Sequence, residues 1–246
     1  MVIRKAKAEE QSLMAMIAAT VFFDDELMGD LIHPHRDQYL DDMQLWWLKR
    51  IRKGWDDPSN HFLVSTTTNT QGGGEEIAAW AQWIRVGAGT QQEKSAVGSE
   101  AQPELPKNRA ADPEYEDALE RTYKSIEHEW SGLCTVYHAT GLSCNLTPVT
   151  GKRAECWDVA WLATSPSFQG EGHGKALMQW GITRGTEEGV ALSVVSAKGK
   201  DGFYNKLGFT VRSGKTCDGE GNPLSGKVAG NYFWWYESHL QPSAGS

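Results

Sequence analysis

Gln169-Gly170-Glu171-Gly172-His173-Gly174 alternates glycine with larger residues between a strand-like run over 157–164 and a helix-like run over 175–186. A glycine-rich turn at that junction presents bare backbone N–H groups at a helix N-terminus. Such a turn holds a phosphate or pyrophosphate without needing a cationic side chain. Gly174-Lys175 continues into Ala176, so the hydroxyl that a Walker-type loop offers to Mg²⁺ is missing. The dinucleotide fingerprint needs G-x-G-x-x-G, and the position three after Gly172 is Lys175. Taken alone, the cluster also fits a flexible surface turn.

Further residues with chemical potential lie on either side. A β-rich run over 190–196 leads to Gly202-Phe203-Tyr204-Asn205-Lys206-Leu207-Gly208-Phe209. The Q-x-x-G-x-G pattern sits on Gln169, Gly172 and Gly174, the Leu162-Ala163-Thr164-Ser165-Pro166 run precedes it, and Tyr-x-x-x-Gly-Phe sits on Tyr204, Gly208 and Phe209. With these blocks in order and at this spacing over 157–209, the chain resembles the GNAT family of N-acetyltransferases, of the kind common among fungal small acetyltransferases.

The resemblance implies an α/β (α+β) GNAT fold: a central, mixed, mostly antiparallel twisted sheet of about six to seven strands flanked by helices, with parallel strands four and five splayed apart. It implies acetyl-CoA as cosubstrate, no metal, and transfer to a primary amine by direct attack in a ternary complex. Gln169, Gly170, Glu171, Gly172, His173, Gly174 and Lys175 would cradle the pyrophosphate, with Gly172 and Gly174 letting the backbone come close. Glu171 departs from the family habit of a basic or neutral residue there. Main-chain groups of Leu162, Ala163 and Thr164 would pair with the pantetheine arm, and the N–H near Leu162 and Ala163 would face the thioester carbonyl. Tyr204 would protonate the departing thiolate, and Asn205 would bond the pantetheine arm. Asp158 stands on the strand that carries the catalytic glutamate in the histone acetyltransferase branch. A carboxylate in the apolar run 156–163 is costly to bury without a role or a partner, so general base and salt-bridged structural residue both stand as readings. His138 and Glu129 are fallback bases.

These residues need elements to position them. A short strand is expected at Ile3 and a helix over 8–23, with Met14, Ile17, Ala18 and Val21 on one face. A second helix is expected over 36–53, strands over 61–67 and 76–86, a helix over 115–130, and closing strands over 209–212 and 232–237. Parity places Asp158, Ala160 and Leu162 on one strand face. Residues 87–113 are rich in Gly, Ala, Gln, Glu, Lys and Pro and read as a mobile loop. Much of 87–153 reads as an insertion in a single domain over 1–246. Trp161, Trp180, Phe233, Trp234, Trp235 and Tyr236 read as core and edge packing. Asp24, Asp25, Glu26 and Asp30 read either as solvated helix-start residues or as a patch that attracts a cationic amine, and His33-Pro34-His35 as a surface turn rather than a metal site.

Bulk properties bound the partners. With 39% hydrophobic residues among 246, the chain can bury a core. The net charge of −8 argues against nucleic acid as a partner. There is no apolar N-terminal segment and no long apolar span, so neither a signal peptide nor a membrane partner is expected. Cys134, Cys144, Cys156 and Cys217 lack metal spacing and read as reduced cysteines of a cytoplasmic protein. A small-molecule amine is the expected acceptor. The alternatives are a protein or peptide N-acetyltransferase and a non-catalytic acyl-CoA sensor.

Overall fold

The computed structural model describes residues 1–68, 73–87, 106–125, 155–229 and 232–237. Its strands are β1 (Val2–Lys5), β2 (Asn60–Thr68), β3 (Glu75–Val86), β4 (Cys156–Thr164), β5 (Ala191–Val195), β6 (Val211–Lys215) and β7 (Tyr232–Tyr236). Its α-helices are α1 (Gln11–Val21), α2 (Leu40–Trp55), α3 (Ala118–Ser125), α4 (His173–Glu188) and α5 (Asp201–Lys206). The strands form one seven-stranded mixed sheet in the order β1-β2-β3-β4-β5-β7-β6. β1 pairs antiparallel with β2, and β7 antiparallel with both β5 and β6. β4 and β5 run parallel. No described helix is long and apolar enough to cross a membrane.

The chain gathers into two compact units. One comprises Met1–Trp83, 106–116 and Trp161–Leu177. Here the expected apolar stripe of α1 is buried at Met14, Ile17 and Ala18, with Val21 half-buried. Of the α2 stripe expected at Leu40, Met43, Trp47 and Ile51, the last three are buried, but Leu40, in the first turn, is 53% exposed. Trp80 and Trp83 are fully buried on β3, and the Trp83 indole N–H donates to the Leu177 carbonyl at 3.3 Å. Trp161 packs edge-on against Trp47 at 4.6 Å between ring centroids, with Phe22 stacked on Trp47 at 5.0 Å.

Three details of this unit differ from the sequence reading. A π-helix occupies Glu26–Ile32, and Asp25 caps it by accepting from the Leu27 and Met28 N–H groups at 3.0 and 2.9 Å. Asp25 is therefore a cap in a partly buried setting, and desolvation raises its carboxyl pKa. Asp30 instead pairs with Arg36 at 2.7 Å. His33 is no surface residue: it is 0% exposed and donates from Nδ1 to the Met28 carbonyl at 2.6 Å. Burial pushes its pKa down to about 4, so it stays neutral. No group of three or more His, Cys, Asp or Glu side chains among the described residues is placed to hold a metal. The third difference falls inside the expected insertion. Arg109 donates to Asp42 of α2 from its backbone N–H and its guanidinium at 2.7 to 2.8 Å, and Ala110 and Ala111 are buried. The segment docks with small side chains and one ionic clasp, which apolar composition does not reveal. The remainder of 87–153, with His138 and Glu129, lies outside the described residues.

The other unit comprises Ile84–Gly87, 117–125, 155–160, 178–229 and 232–237. Its core includes Cys156, Ala191 and Trp235, with Val211 packed alongside. Helix α4 comes close to β5 at Gly185, where an added Cβ would sit 2.5 Å from Leu192 Cδ1 and 3.1 Å from the Val190 carbonyl oxygen. Gly185→Ala is expected to lower stability by about 1–3 kcal/mol through overpacking. Urea denaturation with an unchanged slope and a lower midpoint would be the signature.

Candidate active site

The glycine turn belongs to the first unit. β4 ends at Thr164, and the Ser165 N–H bonds to the Ala78 carbonyl at 2.9 Å. A 3₁₀ turn over Pro166–Phe168 follows, and the Gln169 side chain donates back to the Thr164 carbonyl at 3.3 Å. Gly170 and Gly172 take φ of 87° and 92°, a region where a side chain is strained. A Cβ at Gly170 would meet nothing within 4 Å, and at Gly172 only Met1 Cε at 3.9 Å. The glycines are thus required by backbone conformation rather than by crowding from the protein itself.

Helix α4 opens at His173 and runs 16 residues. The Ala176 N–H closes the first helical turn on the Gly172 carbonyl at 2.9 Å. The N–H groups of Gly172, His173, Gly174 and Lys175 have no partner among the described residues. Those donors, at the positive end of the helix dipole, fit a pyrophosphate. Lys175 is exposed beside them. Glu171 is 57% exposed, and its carboxylate lies 3.6 Å from His173 Nε2. The His173 ring points inward and is 2% exposed, with Nδ1 at 2.8 Å from Ser65 Oγ. Only the backbone of His173 is left for a ligand.

The parallel pairing of β4 and β5 runs from Cys156↔Ala191 to Val159↔Val194 and stops there, while β4 continues to Thr164. β5 itself ends at Val195, so the last residues of β4 extend beyond it. Leu162 and Thr164 are half-buried and Ala163 is buried.

Asp158, Tyr204 and Asn205 belong to the second unit. Register puts Asp158 opposite Ser193, whose hydroxyl donates to Asp158 Oδ1 at 2.6 Å. Ser193 Oγ is also 3.9 Å from Cys156 Sγ. Asp158 is 1% exposed and carries no salt bridge among the described residues, which removes the salt-bridged reading there. Desolvation, partly offset by the Ser193 bond, pushes its pKa up to about 7. Burial pushes the neighbouring Cys156 thiol up to about 12. A carboxyl with such a value changes charge at neutral pH, as a proton acceptor for an ammonium requires.

Tyr204 lies on α5 between the Phe203 and Phe209 rings. Its hydroxyl has no partner among the described residues, and burial raises its pKa, which keeps the phenol protonated. Gly208, with φ of 98°, ends the helix, and a Cβ there would meet Tyr236 Cε2 at 2.7 Å. That explains the glycine four residues after Tyr204. Asn205 is exposed, and its carbonyl accepts from the Gly208 N–H at 3.0 Å. Ser65 and Ser193, both buried against candidate residues, escaped the sequence reading. Their partners are set by strand register and long-range packing, and no local motif marks either one.

A family model described as an acetyltransferase (GNAT) domain matches residues 134–211, which hold β4, the glycine turn, α4, β5 and α5. Among solved structures, histone acetyltransferase HPA2 and related acetyltransferase from Corynebacterium glutamicum aligns with 95% of this chain and 94% of its own, at TM-score 0.54 and 17% identity. The fold is that of the GNAT acetyltransferases. The PaiA N-acetyltransferase of Thermoplasma acidophilum, solved with coenzyme A, aligns over 96% of this chain and 97% of its own at TM-score 0.46 and 10% identity. A GNAT family acetyltransferase from Brucella melitensis, solved with acetyl-CoA, covers 85% of this chain and 82% of its own at TM-score 0.39 and 12% identity. No curated protein matches the sequence. Within the GNAT fold, the parallel pairing of β4 and β5 is the feature the sequence resemblance anticipated.

Proposed function

We propose that the chain is an acetyl-CoA-dependent N-acetyltransferase that acts on a primary amine of a small molecule. The observation that carries this reading is the run of unpartnered N–H groups from Gly172 to Lys175, on a turn with left-handed glycines, in a GNAT fold. Acetyl-CoA supplies the activated acetyl thioester. The turn holds the pyrophosphate, and the main chain of Leu162, Ala163 and Thr164 pairs with the pantetheine amides. Asp158 accepts the proton that the attacking amine loses as the new C–N bond forms. Tyr204 donates a proton to the sulfur as the C–S bond breaks. Asn205, exposed at the end of α5, is available to the pantetheine arm. The net charge of −8 draws cationic amines toward the protein.

The test is thiol release from acetyl-CoA with a panel of small amines and peptides. Amine-dependent release is expected, and Tyr204→Phe is expected to lower kcat by about 10²-fold. Turnover on peptides alone would make the chain a peptide N-acetyltransferase. Coenzyme A binding without turnover on any acceptor would make it an acyl-CoA sensor, and absence of binding overturns the reading.

A further inference from the structure

We propose that Ser65 and His173 form a buried tether that fixes the pose of the phosphate-binding turn, with Ser65 as a positioning residue for acetyl-CoA. The inference rests on the pyrophosphate role proposed above for Gly172 to Lys175. Both partners lie in the same compact unit.

The turn has little else to hold it. Residues 169–172 are exposed, and two of them are glycines with positive φ, the residue type that loses most freedom on ordering. Within the turn, the Glu171 N–H reaches the Phe168 carbonyl at a long 3.5 Å, and the Gln169 side chain bonds back to Thr164. Among the described residues, His173 is the side chain from the start of α4 that hydrogen-bonds the turn to another strand. Its Nδ1 meets Ser65 Oγ of β2 at 2.8 Å, across 108 positions of sequence, and Ser65 is 0% exposed. Ser65 Oγ has no other partner among the described residues. The His173 N–H is itself one of the unpartnered donors. Fixing the ring therefore fixes the backbone atom that would meet the phosphate.

One tautomer satisfies every contact. The Ser65 hydroxyl donates to Nδ1, and the proton on Nε2 faces the Glu171 carboxylate at 3.6 Å. This arrangement gives Glu171 a task. Its carboxylate lies beside the Nε2 edge of the same ring, so the one acidic residue of the turn stands next to the tether. A turn ordered before binding loses less entropy when the ligand arrives, and the gain appears as affinity.

Ser65→Ala removes a single oxygen and His173→Ala removes the ring. Each is expected to raise KM for acetyl-CoA and Kd for coenzyme A by about tenfold, with the loss on KM rather than kcat. The double variant should be no worse than either single one, because both delete the same bond. His173→Asn places an amide where Nδ1 was and should restore most of the affinity. Pantetheine, which lacks the pyrophosphate, should bind all variants alike. The tether is overturned if Ser65→Ala binds coenzyme A as tightly as the wild type, if the two losses add, or if pantetheine binding falls equally. Should His173→Ala fail to fold, Ser65→Ala decides. A wild type with no affinity for coenzyme A would instead overturn the proposed function.

Discussion

Replacing Asp158 by asparagine is expected to lower kcat by about 10³-fold and, above neutral pH, to make the protein more stable. The two effects share one cause. Asp158 is 1% exposed, and desolvation lifts its pKa to about 7 against an ordinary aspartate value. In the unfolded chain it titrates near ~3.9. Between those two values the folded state holds a proton that the unfolded state has released. The favourable contribution of the protonated carboxyl is complete below the unfolded-state pKa and is lost as pH rises through about 7. Above that, the fold carries a buried carboxylate at a cost on the order of 4 kcal/mol. Asparagine cannot ionise, and its amide oxygen still accepts the Ser193 hydroxyl. The variant should match the wild type in acid, gain on it between about pH 4 and about pH 7, and keep a constant advantage above that. The wild-type kcat should rise with pH through about 7 as the base loses its proton, and the residual rate of the variant should lose that limb. A purely structural Asp158 would show the same stability change but leave the rate of Asp158→Asn and its pH limb nearly intact. Denaturation melts and pH–rate profiles of the same two proteins separate the cases.

Gly172→Val should raise KM for acetyl-CoA by about 100-fold, or ~2.7 kcal/mol of binding, with a smaller cost to folding. The backbone there sits at φ of 92°, so any L side chain is strained by roughly 1–2 kcal/mol. Inside the protein the new Cβ would meet only Met1 Cε at 3.9 Å. Valine therefore has room in the free protein and obstructs only what approaches the N–H groups beside it. This contrasts with Gly185, where the added carbon collides with Leu192 and the penalty falls on stability. Isothermal titration with coenzyme A, paired with a urea melt, reads the two costs apart. A change in affinity below about threefold would remove the turn from the proposed site.

Much of the frame behind these expectations could be read from the chain. The strand–turn–helix over β4 and α4 showed itself because apolar runs, glycines and helical periodicity change over within a few residues. Gly208 was legible only as part of the Tyr-x-x-x-Gly-Phe pattern; its place at the end of α5, at φ of 98°, came from the structure. The π-helix over Glu26–Ile32 was not legible, because seven residues carrying a glycine, among acidic residues, give too short a pattern to announce a helix. The docking of 106–116 was hidden because alanines and one Arg109–Asp42 clasp do the work of large apolar residues. Asp158 was legible as an acid in an apolar strand. What sets its charge was not, since Ser193 becomes its neighbour only through the parallel register of β4 and β5. Ser65 was hidden in the same way within the polar run of β2.

The early end of that parallel register also bears on solubility. One side of β4 is taken by β3, but past Val159 no described strand pairs with its other side. Among the described residues, β4 thus carries an unpaired margin beyond the end of β5, as β1 and β6 carry free edges at the sides of the sheet. Ala160-Trp161-Leu162-Ala163-Thr164 carries no charge and no proline, the composition that seeds strand-to-strand association between molecules. Pro166, two residues beyond, cannot extend such a pairing and acts as a gatekeeper. A ligand that caps this margin would do more than serve chemistry: it would keep the protein from finding partners among its own copies.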